Sequence, residues 1–147
     1  MESWVILGLG AALLFGTSTI AIKIASSPDY LGAPPSSVLI LILAGIALVF
    51  VPYTAWISRQ QTFSYQSELL VAGLCIGIFW ALAQILVVTA LNQNADVSRI
   101  TPIFNLNTLV VVFLGILLLG ELPDKAQAIR VVFGAVLIVA GGILVST

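Results

Sequence analysis

Long apolar runs separated by short polar clusters set the pattern of this chain. The first run extends over about 4–25 and is broken by Ser26-Ser27-Pro28-Asp29-Tyr30-Leu31-Gly32-Ala33-Pro34-Pro35, a stretch with three prolines, two serines and an Asp. Such a cluster reads as a loop. The second run covers about 37–57 and ends at Arg59-Gln60-Gln61-Thr62-Phe63-Ser64. The third covers about 69–91 and stops at Asn92-Gln93-Asn94-Ala95-Asp96. The fourth, about 100–119, is closed by Gly120-Glu121-Leu122-Pro123-Asp124-Lys125, and the fifth covers about 128–145. A helix needs roughly 20 mostly apolar residues to cross a bilayer. Five such runs with short loops predict an all-α integral membrane protein, a bundle of five transmembrane helices in a single domain over 1–147.

Composition narrows the class further. Hydrophobic residues make up 61% of the 147 and charged ones 7%, against about a quarter charged in a soluble domain. The mean hydropathy is +1.20. Too few charges are present to cover a globular surface, which argues against a soluble enzyme, a disordered segment or a nucleic-acid binder. There is no His and a lone Cys75. The chain therefore offers no disulfide framework, no zinc set and no Ser-His or Cys-His pair. No cofactor, metal site or enzymatic activity is expected. The start, Met1-Glu2-Ser3-Trp4, has no basic region before the apolar run, so the first segment is expected to be retained rather than cleaved.

The charges fall where this map places water. Glu2, Asp29, Arg59, Glu68, Asp96, Glu121, Asp124 and Lys125 lie in loops or at span ends, and Lys23, Arg99 and Arg130 lie within a few residues of an end. Lys23 sits ~28 Å along its helix from Trp4 at ~1.5 Å per residue, near the far edge of the bilayer. It reads as an interfacial anchor that snorkels, with a functional, coupling cation as the alternative. Orientation is nearly balanced. Arg59, Lys125 and Arg130 fall on the N-terminal side, and Lys23 and Arg99 on the other. That leans toward an inside N-terminus under the positive-inside rule, and it equally suits a chain that inserts both ways up.

Polar residues at membrane depth are the candidate functional groups. In the third span Gly73, Gly77, Trp80, Gln84, Val88 and Leu91 share one helical face. The Gly73–Gly77 pair has the spacing of close helix packing. Gln84 needs a hydrogen-bond partner or a wet cavity, and Trp80, one turn away and far from the interfacial belts, suits an aromatic wall for a solute. In the fourth span Thr101, Asn105 and Thr108 fall on one helical face, Asn107 lies beside them, and Pro102 frees the Ser98 carbonyl. These amides must face protein or water, as interhelical glue or as the lining of a pathway. The first span carries Phe15-Gly16-Thr17-Ser18-Thr19. Its hydroxyls can bond the preceding turn at little cost. The second and fifth spans are almost wholly apolar and read as scaffold.

These residues carry a family resemblance. Leu14-Phe15-Gly16-Thr17-Ser18-Thr19-Ile20-Ala21-Ile22-Lys23 resembles the opening helix of EamA-type members of the drug/metabolite transporter superfamily. The stretch from Ala90-Leu91 through Ala95-Asp96-Val97-Ser98 to Leu118-Leu119-Gly120-Glu121 resembles that family's third-to-fourth helix turn and its fourth helix, and Gly134, Ala135, Ile138, Ala140 and Gly141 are similar to its fifth. Phe15 stands where Trp is frequent, and Asn107-Thr108 where Ser-Pro is frequent. The resemblance covers one five-helix repeat, half of the family's ten-helix inverted-repeat architecture. It implies a multi-pass protein of the cell membrane that moves small polar or amphipathic metabolites by alternating access. The expected partners are the lipid bilayer, a small-molecule substrate, and a second copy, antiparallel or parallel, or a related five-helix chain. Phe15, Thr19, Trp80, Gln84, Asn105, Asn107 and Thr108 are the candidate cavity lining, and Lys23 the candidate for coupling. A non-transporting structural or assembly subunit is the rival reading.

Overall fold

A computed structural model describes residues 3–60, 66–120 and 125–146. They form six helices: α1 (Ser3–Ser26), α2 (Pro35–Ile57), α3 (Ser67–Asn92), α4 (Val97–Phe104), α5 (Asn107–Leu119) and α6 (Lys125–Ser146). No strand occurs among the described residues. Helix is the element expected here, because hydrocarbon supplies no partner for a backbone N–H or C=O and a helix pairs its own. Four segments are long and apolar enough to cross a membrane, Ser3–Ser26, Pro35–Ile57, Ser67–Asn92 and Val97–Leu119, and a shorter apolar stretch, Ile129–Val145, runs within α6. Large side chains such as Leu13, Leu48 and Leu86 are more than two-thirds exposed. Apolar surface on this scale is stable in lipid, not in water.

The fourth apolar run differs from the single helix expected of it. It is two helices, α4 and α5, joined at Asn105 and Leu106. Across the joint the backbone tightens to i→i−3 bonds: Leu106 N donates to Ile103 O at 3.1 Å, Thr108 N to Asn105 O at 3.1 Å and Leu109 N to Leu106 O at 2.9 Å. The reason is local. Pro102 cannot donate to Ser98 O, and three residues on, Asn105 and Leu106 adopt ψ near zero, −7° and −12°. Thr101, Asn105 and Thr108 therefore do not belong to one continuous helical face. Thr101 is in α4, Asn105 in the turn and Thr108 in α5. At the far end of α5, Gly120 takes a left-handed φ of 65° and its N–H caps Gly115 O. A residue without Cβ holds that conformation without strain.

Two compact units divide the chain, Met1–Asn94 and Ala95–Thr147. In the first, α3 packs against both α1 and α2, more extensively than those two pack on each other. Its buried residues gather at one end, where α1 ends, α2 begins and α3 ends: Thr19, Ile22, Ser26, Ser27, Val38, Val88 and Leu91. Polar groups lock that end. Asn92 Nδ2 donates to Ser26 O at 2.7 Å, and Ser27 Oγ donates to Asn94 Oδ1 at 2.6 Å. The loop after α1 folds back as well, with Leu31 N on Ile24 O and Ala33 N on Ala25 O. These bonds occupy carbonyls that a helix end leaves open. Asn94 itself has a φ of 65°, a conformation Asn tolerates better than other residues with a side chain.

In the second unit α4 packs along α6. Gly142 is buried there, and a Cβ added to it would lie 3.4 Å from Pro102 O and 3.6 Å from Leu106 Cδ2. Pro102 O is the carbonyl that loses its helical donor when Leu106 N turns to Ile103 O. The small residue on α6 thus lets the helix backbones approach where the α4 ladder is interrupted.

Two outcomes follow in detergent or nanodiscs. Asn94→Ala loses both the hydrogen bond and the residue suited to positive φ, so it lowers unfolding free energy by about 1 kcal/mol more than Asn94→Gly, read by thermal or denaturant unfolding. Equal losses would mean that the backbone conformation contributes nothing. Gly142→Ala is tolerated within about 1 kcal/mol, whereas Gly142→Leu overpacks the α4–α6 contact and costs about 2 kcal/mol. A leucine variant as stable as the native chain would contradict the close approach.

Candidate functional site

The first unit contains an open cleft of about 650 Å³, within the range of small-molecule sites. One wall is α1, through Leu14, Phe15, Ser18 and the residues one and two turns on. The opposite wall is α2, from Val38 to Phe50, with Gly45 at its middle. α3 contributes Trp80 and Gln84. The three helices can form such a space because their tight packing is confined to the end marked by Val88 and Leu91. Side-chain orientation on α3 agrees with this. Trp80 is 40% exposed while its neighbour Phe79 is 71% exposed, so the indole is the ring turned toward the helices and the phenyl the one turned away.

The lining is nearly all apolar and includes no charged residue. Besides the Trp80 indole, its two polar side chains, Ser18 and Gln84, behave differently. Ser18 Oγ donates to Phe15 O at 2.8 Å, so its proton is committed to its own helix. Thr17 and Thr19 do the same, to Leu13 O and Phe15 O, each at 2.9 Å. These are the inexpensive back-bonds expected of hydroxyls in a membrane helix. Gln84 has no such outlet. Its Oε1 is buried and has no hydrogen-bond partner. An unsatisfied buried amide oxygen costs about 1–3 kcal/mol, and it stands beside the one indole of the cleft.

The residues singled out from sequence divide between the units. Phe15, Trp80 and Gln84 come together on the cleft. Thr19 is buried, and Ser18 lines the cleft in its place. Lys23 is half-buried in the last turn of α1, where a cation complements the negative end of the helix dipole. Asn105, Asn107 and Thr108 belong to the second unit and are exposed in it, with Thr108 Oγ1 3.5 Å from Asn107 Oδ1. Thr101 Oγ1 is buried and without a partner. Gly73 and Gly77 have open space where a Cβ would stand, so no helix described here uses their spacing for close approach.

Sequence reasoning passed over α2. Read as scaffold, it supplies seven lining residues, Val38, Leu41, Ile42, Gly45, Ile46, Val49 and Phe50. The signal was slight, since an apolar residue facing a cleft looks the same in sequence as one facing lipid. Their spacing of three and four, with Gly45 among them, is the trace that could have marked the face.

Comparison with known proteins agrees with the membrane fold. No curated protein and no solved structure is significantly similar to the chain. The model of the EamA-like transporter family matches residues 2–147. With that match covering nearly its whole length, the chain belongs to the EamA-like transporter family.

Proposed function

We propose that this chain is a transporter subunit that moves small polar or amphipathic solutes across a membrane by alternating access, working with a second five-helix unit. The observation that carries this reading is Gln84. A chain under pressure only to pack would replace an unpaired buried amide with Leu or Met at no cost in fit, and with a gain in stability. An unpaired amide beside Trp80, on a cleft of small-molecule size, is the arrangement of a binding group that finds its partner in a solute. Membership in a transporter family supports the same reading. Asn105, Asn107 and Thr108 on the second unit are further polar positions for a pathway. The cleft lining carries no carboxylate, so coupling through a buried acid has no support there, and Lys23 is the candidate for coupling near the cleft's own helices.

The second unit of the transporter is proposed to be another copy of this chain or a related one. The near balance of basic residues, three on one side and two on the other, permits an antiparallel pair, in which two odd-span repeats regain the inverted arrangement with a site between them.

Purified chain in proteoliposomes, screened with radiolabelled neutral and amphipathic metabolites, should exceed empty vesicles for at least one solute. Gln84→Leu should lower that flux about tenfold or more, the loss expected for one buried hydrogen bond of about 1.4 kcal/mol, and Asn107→Leu should lower it too, with helix content and unfolding temperature retained. If no solute exceeds empty vesicles, the rival holds and the chain is a structural or assembly subunit whose polar groups serve packing.

A further inference from the structure

Resting on the transport reading, we infer that the cleft between α1, α2 and α3 selects uncharged, mainly apolar solutes carrying one hydrogen-bond donor, which pairs with the amide oxygen of Gln84 while the ring of the solute lies against Trp80.

Three observations lead there. The lining carries no charged side chain. An ion or zwitterion entering it would shed water with no opposite charge to meet, which weighs strongly against its binding. The second is the shortage of donors: Ser18 has already given its proton to Phe15 O, and the remaining lining apart from Gln84 and Trp80 is aliphatic or phenyl. The third is the Gln84 oxygen, buried and unpaired. The terminal amide torsion of Gln is soft and broad, so the oxygen can turn to the open side of the cleft, where the Trp80 indole N–H is the one other side-chain donor of the lining not already committed and a bound molecule supplies a further one. A lipid acyl chain fills apolar space equally well but brings no N–H or O–H. Occupancy by lipid would leave Gln84 unsatisfied, and a donor-bearing solute removes that penalty. This sharpens the substrate class from polar or amphipathic metabolites to neutral amphipathic ones.

The test is equilibrium binding to the full chain in nanodiscs, with uptake by empty nanodiscs subtracted. Three probes share one ring system: 1-naphthaleneacetamide, 1-naphthaleneacetate and 1-ethylnaphthalene. The amide should bind about tenfold more tightly than the hydrocarbon, as one recovered hydrogen bond requires, and the carboxylate more weakly than either. Gln84→Met, close in shape and without the amide, should erase the preference of amide over hydrocarbon yet still bind the hydrocarbon, which shows that the cleft is intact. Trp80→Ala should weaken amide and hydrocarbon together. Carboxylate binding as tight as that of the amide overturns the inference, as does an amide preference that survives in Gln84→Met. Binding that ranks only by hydrophobicity overturns it in favour of a lipid groove. If the predicted pattern appears but the amide is not carried into proteoliposomes, the cleft chemistry stands and transport of this class by this chain fails.

Discussion

Hydrocarbon offers no hydrogen bonds, so each polar group at membrane depth must find its partner within the protein or its cargo. The helices meet this demand for the backbone. Thr17, Ser18, Thr19 and Thr89 meet it by bonding the preceding turn of their own helices. Where α1 and α3 end, the demand is met across the fold, by Asn92 on the Ser26 carbonyl and Ser27 on Asn94. The tightest packing of the first unit, around Val88 and Leu91, gathers beside those bonds. The cleft begins where that locked end gives way to looser contact between α1 and α2.

Against this background the exceptions stand out. Gln84 Oε1 and Thr101 Oγ1 are the buried side-chain polar atoms left without a partner among the described residues. Local rules broken at one or two places in an otherwise consistent structure are the usual mark of functional positions. Gln84 has the better claim of the two, because it borders a cleft of molecular size and Trp80 stands with it. In the proposed reading, the absence of charge in the lining and the amide at its wall weigh neutral molecules against ions by desolvation, and donors against hydrocarbon by pairing.

The break between α4 and α5 follows from the same demand. Pro102 and the i→i−3 turns at Leu106 withdraw donors from Ser98 O and Pro102 O. Interrupted ladders of this kind are tolerated in membrane helices where neighbouring elements come close. Gly142 on α6 provides that approach. A helix interrupted within a span, with Asn105 and Asn107 at the joint, places polar side chains at depth without a helix ladder to absorb them.

Much of the helical architecture is legible in the order of residues, because a spanning helix is a local solution: twenty apolar residues and a polar stop define it without reference to the rest of the chain. Phe15, Trp80 and Gln84 could be singled out for the same reason, since an amide or a mid-span indole is conspicuous among Leu, Ile and Val. The family likeness, too, lies in ordered local motifs. Other features depend on partners distant in sequence. Asn92 and Asn94 read simply as loop formers, yet they clamp Ser26 and Ser27 from 66 and 67 residues away. α2 carries no polar signal, and its place as a cleft wall arises only from lying opposite α1 across α3. Ser18 and Thr19 are adjacent hydroxyl residues, and a rotation of about 100° along the helix sends one to the cleft and the other to the interior. Sequence alone determined the membrane class, the apolar spans and the chemistry available at depth, because each is set by local composition against lipid. Tertiary structure decided which of those groups meet, which stay paired and which is left open, because packing faces are chosen by contacts that no single helix contains.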